Sequence, residues 1–128
     1  MLTIILTFGM SDNTKAFGDN VYYDIQKISL VDNSWNHKAQ GMIKIASVGD
    51  ENRILIVENF VSNSDSSLNI YFISENNLEK RKLLGEIDMS SNIHFYQIPK
   101  DISFSEYDTI EVRDKTSSLI YGKAMILN

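Results

Sequence analysis

The sequence predicts an all-β domain: an antiparallel β-sandwich, partly closed and barrel-like, of about 8–9 strands. Three observations point there. Apolar residues alternate with period two along most of the chain, and helical periodicity is scarce. The connections are rich in Asn, Asp and Ser, whose short side chains bond to nearby backbone and favour turns. Alternating stretches and turn signals recur at intervals of roughly 10 residues, the rhythm of short paired strands.

Each stretch carries its own reason. In NVYYDIQ, Val21, Tyr23 and Ile25 share a face, and Ile28 and Leu30 continue on the opposite parity, which predicts a β-bulge near Gln26 and Lys27. MIKIASV and RILIVENF flank Gly49-Asp50-Glu51-Asn52, a short polar linker of hairpin character. SLNIYFIS sets Leu68, Ile70 and Phe72 on one face. NIHFYQIP sets Ile93 and Phe95 against His94, Tyr96 and Ile98, so that His94 reads as an outward or inter-strand residue. TIEV and SSLIYGKAMIL close the chain, and Gly122 within the second marks a bend or a close backbone approach. Only Asn77 to Leu84 has helical content, worth at most a turn or two. Lys80-Arg81-Lys82 reads as a solvated loop or sheet edge.

Composition bounds the function. The 128 residues form one domain large enough to bury a core without staples, and the net charge of −5 argues against DNA, RNA or anionic lipid as partner. There is no cysteine, which removes disulfides, thiol redox chemistry and thiolate metal sites. The opening MLTIILTFG is too short to span a bilayer, so no transmembrane segment is expected. Residues 1–10 read equally as a signal remnant or a first strand. Residues 11–128 read as the single domain.

No catalytic constellation emerges. His37 and His94 are the only imidazoles, no serine lies in a Gly-x-Ser-x-Gly elbow, and the glycines form no phosphate loop. The acid pairs Asp50/Glu51 and Asp108/Glu111 would suit a glycosidase only at the right spatial separation. Asp32-Asn33-Ser34 and Ser62 to Ser67 are oxygen-rich loops of the kind that can hold calcium, though neither has EF-hand spacing, and the metal question stays open. The charged corner Arg113-Asp114-Lys115 has two readings: Asp114 in a pocket that binds a cation or polar ligand, or a turn in which Asp114 accepts backbone N–H bonds. The aromatics Tyr22, Tyr23, Trp35, Tyr71, Tyr96, Tyr107 and Tyr121 either pack the sheets or grip a sugar or protein partner.

Seven segments carry a resemblance in order: HKAQGMIKI, LIVENF, SLNIYFIS, LLGEI, FYQIP, YDTIEV and LIYGKAMI. From His37 to Leu127 they resemble a DM-13 domain, the Skeletor-type module labelled for electron transfer. That resemblance implies a β-sandwich in an extracytoplasmic setting, with a redox cysteine in the strand after Tyr-x-x-Val. Counting back from Gly122, Asp114 occupies the cysteine's place and Arg113 that of the tryptophan before it. A carboxylate cannot exchange disulfides, so the family's thiol chemistry is not expected here. His37, beside Trp35, matches the strand-leading histidine of the resemblance.

The expectation is thus a non-catalytic binding module, monomeric, without a cofactor and more plausibly not an enzyme. Its partner is a protein or a small polar ligand, and Asp114, Arg113, Trp35 and His37 are its candidate binding residues. The alternative is a redox-associated accessory domain working with a bound cofactor or a partner protein.

Overall fold

A computed structural model of the protein describes residues 15–17, 21–48 and 52–126. Residues 1–10 and the linker 49–51, with the acid pair Asp50/Glu51, lie outside the described residues. The described chain is all-β: β1 (Lys15–Phe17), β2 (Val21–Asp32), β3 (Ala39–Val48), β4 (Asn52–Ser62), β5 (Leu68–Ile73), β6 (Arg81–Ile87), β7 (Ile93–Gln97), β8 (Thr109–Asp114) and β9 (Ile120–Met125). It contains no helix among the described residues; the stretch from Asn77 is a turn that leads directly into β6. Every pairing is antiparallel, in the order β6-β5-β8-β9-β2-β3-β4-β7, with β1 added to β2.

The sheet curls until its two ends meet. β2 makes the corner: Tyr23 to Leu30 pair with β3, and then Val31 and Asp32 pair with β9. The end strands β6 and β7 are held together by side chain rather than by a backbone ladder. The Tyr96 hydroxyl donates to the Glu86 carbonyl at 2.8 Å, and its ring lies so close to Gly85 that a Cβ there would sit 3.0 Å from ring carbon Cε1. Burial pushes the Tyr96 phenol up to about 12, with the acids Asp88 and Glu86 adding to the shift. Replacing Tyr96 with Phe keeps the ring packed and removes only this bond. It is expected to cost about 0.5–1.5 kcal/mol in urea unfolding, the range for one hydrogen bond.

Alternation explains the core. Leu68, Ile70 and Phe72 of β5 are fully buried, as are Leu55 and Val57 of β4, Ile43 of β3, and Ile110 and Val112 of β8. Their neighbours in sequence lie on the other face of each strand, where Glu111 of β8 and Ile73 of β5 are buried as well. Gly122 is the close approach its position implies: a Cβ would meet the carbonyl oxygen and Cβ of Ala39, each at 3.0 Å.

Two sequence expectations are corrected. The register of β2 on β3 runs unbroken from Tyr23↔Val48 to Leu30↔Gly41, so there is no bulge at Gln26 and Lys27. The apolar parity changes because both faces of β2 are buried. Leu30 faces the core with Ile28 packed against it, while Ile25 lies on the opposite face paired with Ala46, each 4% exposed. The irregularity instead falls opposite β4, between Gln40 and Met42, where Asn59 takes a positive φ of 55°. His94 is likewise not outward: it pairs with Val57 on the inner face and is buried, whereas Phe95 is 63% exposed.

Candidate functional site

Strand direction decides where the loops go. With every neighbour antiparallel, β2, β4, β6 and β8 run one way and the odd strands from β3 to β9 run back. The loops 33–38, 63–67, 88–92 and 115–119 therefore emerge at one end of the barrel. The sequence-predicted residues Trp35, His37, Arg113 and Asp114 all lie in or beside this four-loop end.

The first loop is short and heavily tied. Asn33 N–H donates to the Tyr121 carbonyl at 2.9 Å and Ser34 N–H to the His37 carbonyl at 3.1 Å. The Ser34 hydroxyl donates to Asn36 Oδ1 at 2.7 Å and accepts from His37 N–H at 3.2 Å. Asn63, from the second loop, donates its amide to the Asn36 carbonyl at 3.1 Å and accepts from Lys38 N–H at 2.9 Å. The His37 ring stands edge-on to Tyr121 with centroids 5.1 Å apart, so His37 braces the loop against β9. On this framework Trp35 is 84% exposed. Val31 and Val61, at the ends of β2 and β4, are also exposed.

At the end of β8 the corner Arg113-Asp114-Lys115 spends its polar atoms inside the protein. Asp114 Oδ2 accepts from the Ser66 hydroxyl at 2.5 Å. Its Oδ1 accepts from Thr116 N–H at 2.8 Å, Thr116 Oγ1 at 2.9 Å and Ser117 N–H at 3.1 Å. The carboxylate thus clasps its own turn and ties it to the 63–67 loop. These bonds, the Ser66 hydroxyl first, then the amides of Ser117 and Thr116 and the Thr116 hydroxyl, hold its carboxyl well below the usual carboxylate range. A carboxyl lowered on folding stabilises fully above its unfolded pKa, about 3.9, and loses that contribution as pH falls toward the folded value. Melting curves of wild type and Asp114→Asn are therefore expected to differ most near neutrality and to converge progressively below about pH 4. Arg113 bonds through Nε to Glu111, a carboxylate 1% exposed on the same face of β8.

Between the second and third loops lies a cleft of about 710 Å³, lined by Ser64 to Ser67 and by Glu86 to Ser90. Its lining holds three carboxylates, Asp65, Glu86 and Asp88, and no basic residue. Glu86 meets Lys115 Nζ at 3.3 Å from outside the cleft. Asp88 accepts from the hydroxyl and amide of Ser90, which lower its pKa. Asp65 makes no hydrogen bond or ion pair among the described residues.

No family model, curated protein or solved structure matches this chain.

Asp108 and Glu111 do not face one cleft as an acid pair: Asp108 accepts from Glu75 N–H and the Thr109 hydroxyl, while Glu111 is spent on Arg113. His37 and His94 do not meet either, since His37 braces the first loop and His94 is enclosed beside Val57, its Nε2 buried without a partner. Among the described residues, no three acids or histidines converge as metal ligands. Sequence reading missed Glu111 as the partner of Arg113, although their spacing of two in a strand was a usable signal for one face. It also missed the cleft, whose two walls are far apart in sequence and join only through the fold.

Proposed function

We propose that the chain is a non-catalytic binding module of DM-13 type that works outside the cytoplasm: secreted, periplasmic or at a cell surface. In this reading it is a monomer whose four-loop end takes a protein or a small polar ligand. The observation that carries the reading is Trp35. An indole left almost wholly in water forgoes the burial that large aromatics normally gain, and here a braced loop holds it there. Aromatic anchors presented without ordering cost are what binding surfaces use. The DM-13 assignment is supported by the order of its seven segments, which fall one per strand from β3 to β9.

Labelled wild type, Trp35→Ala and Leu78→Ala are to be applied to arrays of immobilised extracellular proteins, glycans and polar metabolites. Leu78 is exposed in the β5–β6 loop at the far end and serves as the control. Ligands retained by wild type and Leu78→Ala are expected to be lost or weakened at least tenfold by Trp35→Ala, about 1.4 kcal/mol, with melting temperature unchanged. Retention that ignores Trp35, or turnover that depends on Asp114 or His37, overturns the proposal.

A further inference from the structure

Resting on that reading, we infer that the four-loop end docks a basic polypeptide: an apolar side chain seats on Trp35 while neighbouring Lys or Arg side chains reach the adjoining cleft. The loops that carry the two halves of this surface are tied to each other. Asn36, next to Trp35, is bonded through its carbonyl to Asn63, and the residue after Asn63 is Ser64, the first residue of the cleft wall. A single extended segment lying across the end would therefore meet the indole and the carboxylates together.

Charge complementarity selects the occupant. The cleft lining carries Asp65, Glu86 and Asp88 against no base, and the whole chain carries −5. Glu86 shares its charge with Lys115, but Asp65 is exposed and unpaired among the described residues. An acidic peptide or nucleic acid would be repelled there, whereas an ammonium or guanidinium would be attracted, oriented, and further satisfied by the serine hydroxyls around it. A purely apolar partner would leave these carboxylates desolvated and unpaired, which is costly. The exposed Met89 on the cleft's own lining adds apolar surface for the aliphatic stem of a lysine.

Trp35 is the sole tryptophan, so the docking surface carries its own fluorophore. The test titrates the full chain with a short capped peptide bearing lysines on both sides of one phenylalanine. A counterpart with glutamates in place of the lysines is run in parallel. The lysine peptide is expected to shift Trp35 emission saturably. Asp65→Asn/Asp88→Asn is expected to weaken binding about tenfold, and raising salt to shorten the screening length to about 3 Å should weaken it likewise. Because Asp88 also caps its own turn, Asp65→Asn alone is measured beside the double variant, with folding checked by circular dichroism. No response to the lysine peptide, an equal response to the glutamate peptide, or undiminished binding by both variants overturns the inference. Array ligands that need Trp35 but ignore Asp65 and Asp88 would leave the binding module standing while removing the basic partner; an array on which wild type retains nothing removes both.

Discussion

Arg113→Ala is expected to lower unfolding free energy by about 3–5 kcal/mol, the cost of stripping a buried charge of its partner. The reason lies in Glu111, 1% exposed on β8, whose carboxylate is bonded by Arg113 Nε. Without the guanidinium that carboxylate stays dry and unpaired. Arg113 also reaches the Ser118 carbonyl with Nη1 at 3.5 Å, a weaker tie to the 115–119 loop. Replacing both members by residues that suit a strand, as in Glu111→Val/Arg113→Val, is expected to recover most of the loss, because no orphaned charge remains. Urea unfolding of the three variants checks this. An Arg113→Ala protein as stable as wild type would mean that Glu111 is neutralised some other way. The result also bears on the site: lost binding in Arg113→Ala is to be read only after its stability has been measured.

Phe72→Ala is expected to cost a further class of energy, about 3–5 kcal/mol, from lost apolar burial plus the cavity left behind. Phe72 is fully buried on β5, a strand paired on both sides, by β6 and β8. Its ring lies 5.8 Å from that of Phe104, in the 98–108 loop, and the Arg53 guanidinium sits over Phe104 at 4.8 Å. Arg53 in turn donates to the carbonyls of Pro99 and Ile102 at 3.0 and 2.7 Å. Removing the ring therefore empties the core and takes away the floor on which the loop rests. Phe72→Leu, which keeps most of the volume, is expected to lose less. Equal losses for Ala and Leu would show that ring contact with Phe104, rather than volume, sets the cost.

Legibility in the sequence followed burial. Where one face of a strand meets the core and the other meets water, alternation names the inner row, and Leu68, Ile70 and Phe72 were readable for that reason. Where that asymmetry fails, the pattern misleads. Ile25 and Ala46 are buried away from the core, so β2 looked shifted by one residue. β7 inverts the rule: Ile93 and Phe95 face outward and His94 inward, and local polarity cannot reveal that exchange. At the loop end, residue type drew attention to Trp35, His37, Arg113 and Asp114. What each does depends on partners remote in sequence: Tyr121 for His37, and Ser66, 48 positions away, for Asp114.

Closure by one phenol between β6 and β7 has a mechanical side. Elsewhere along the main order of the sheet, neighbouring strands are joined by backbone pairing, which spans five or more residue pairs at each junction except the two-pair one between β2 and β9. Along this line, one rotation about the Tyr96 Cα–Cβ bond would release the tether at the Glu86 carbonyl. Under load or in mild denaturant, the wall is expected to gape there first, exposing the imidazole of His94 before any ladder has torn.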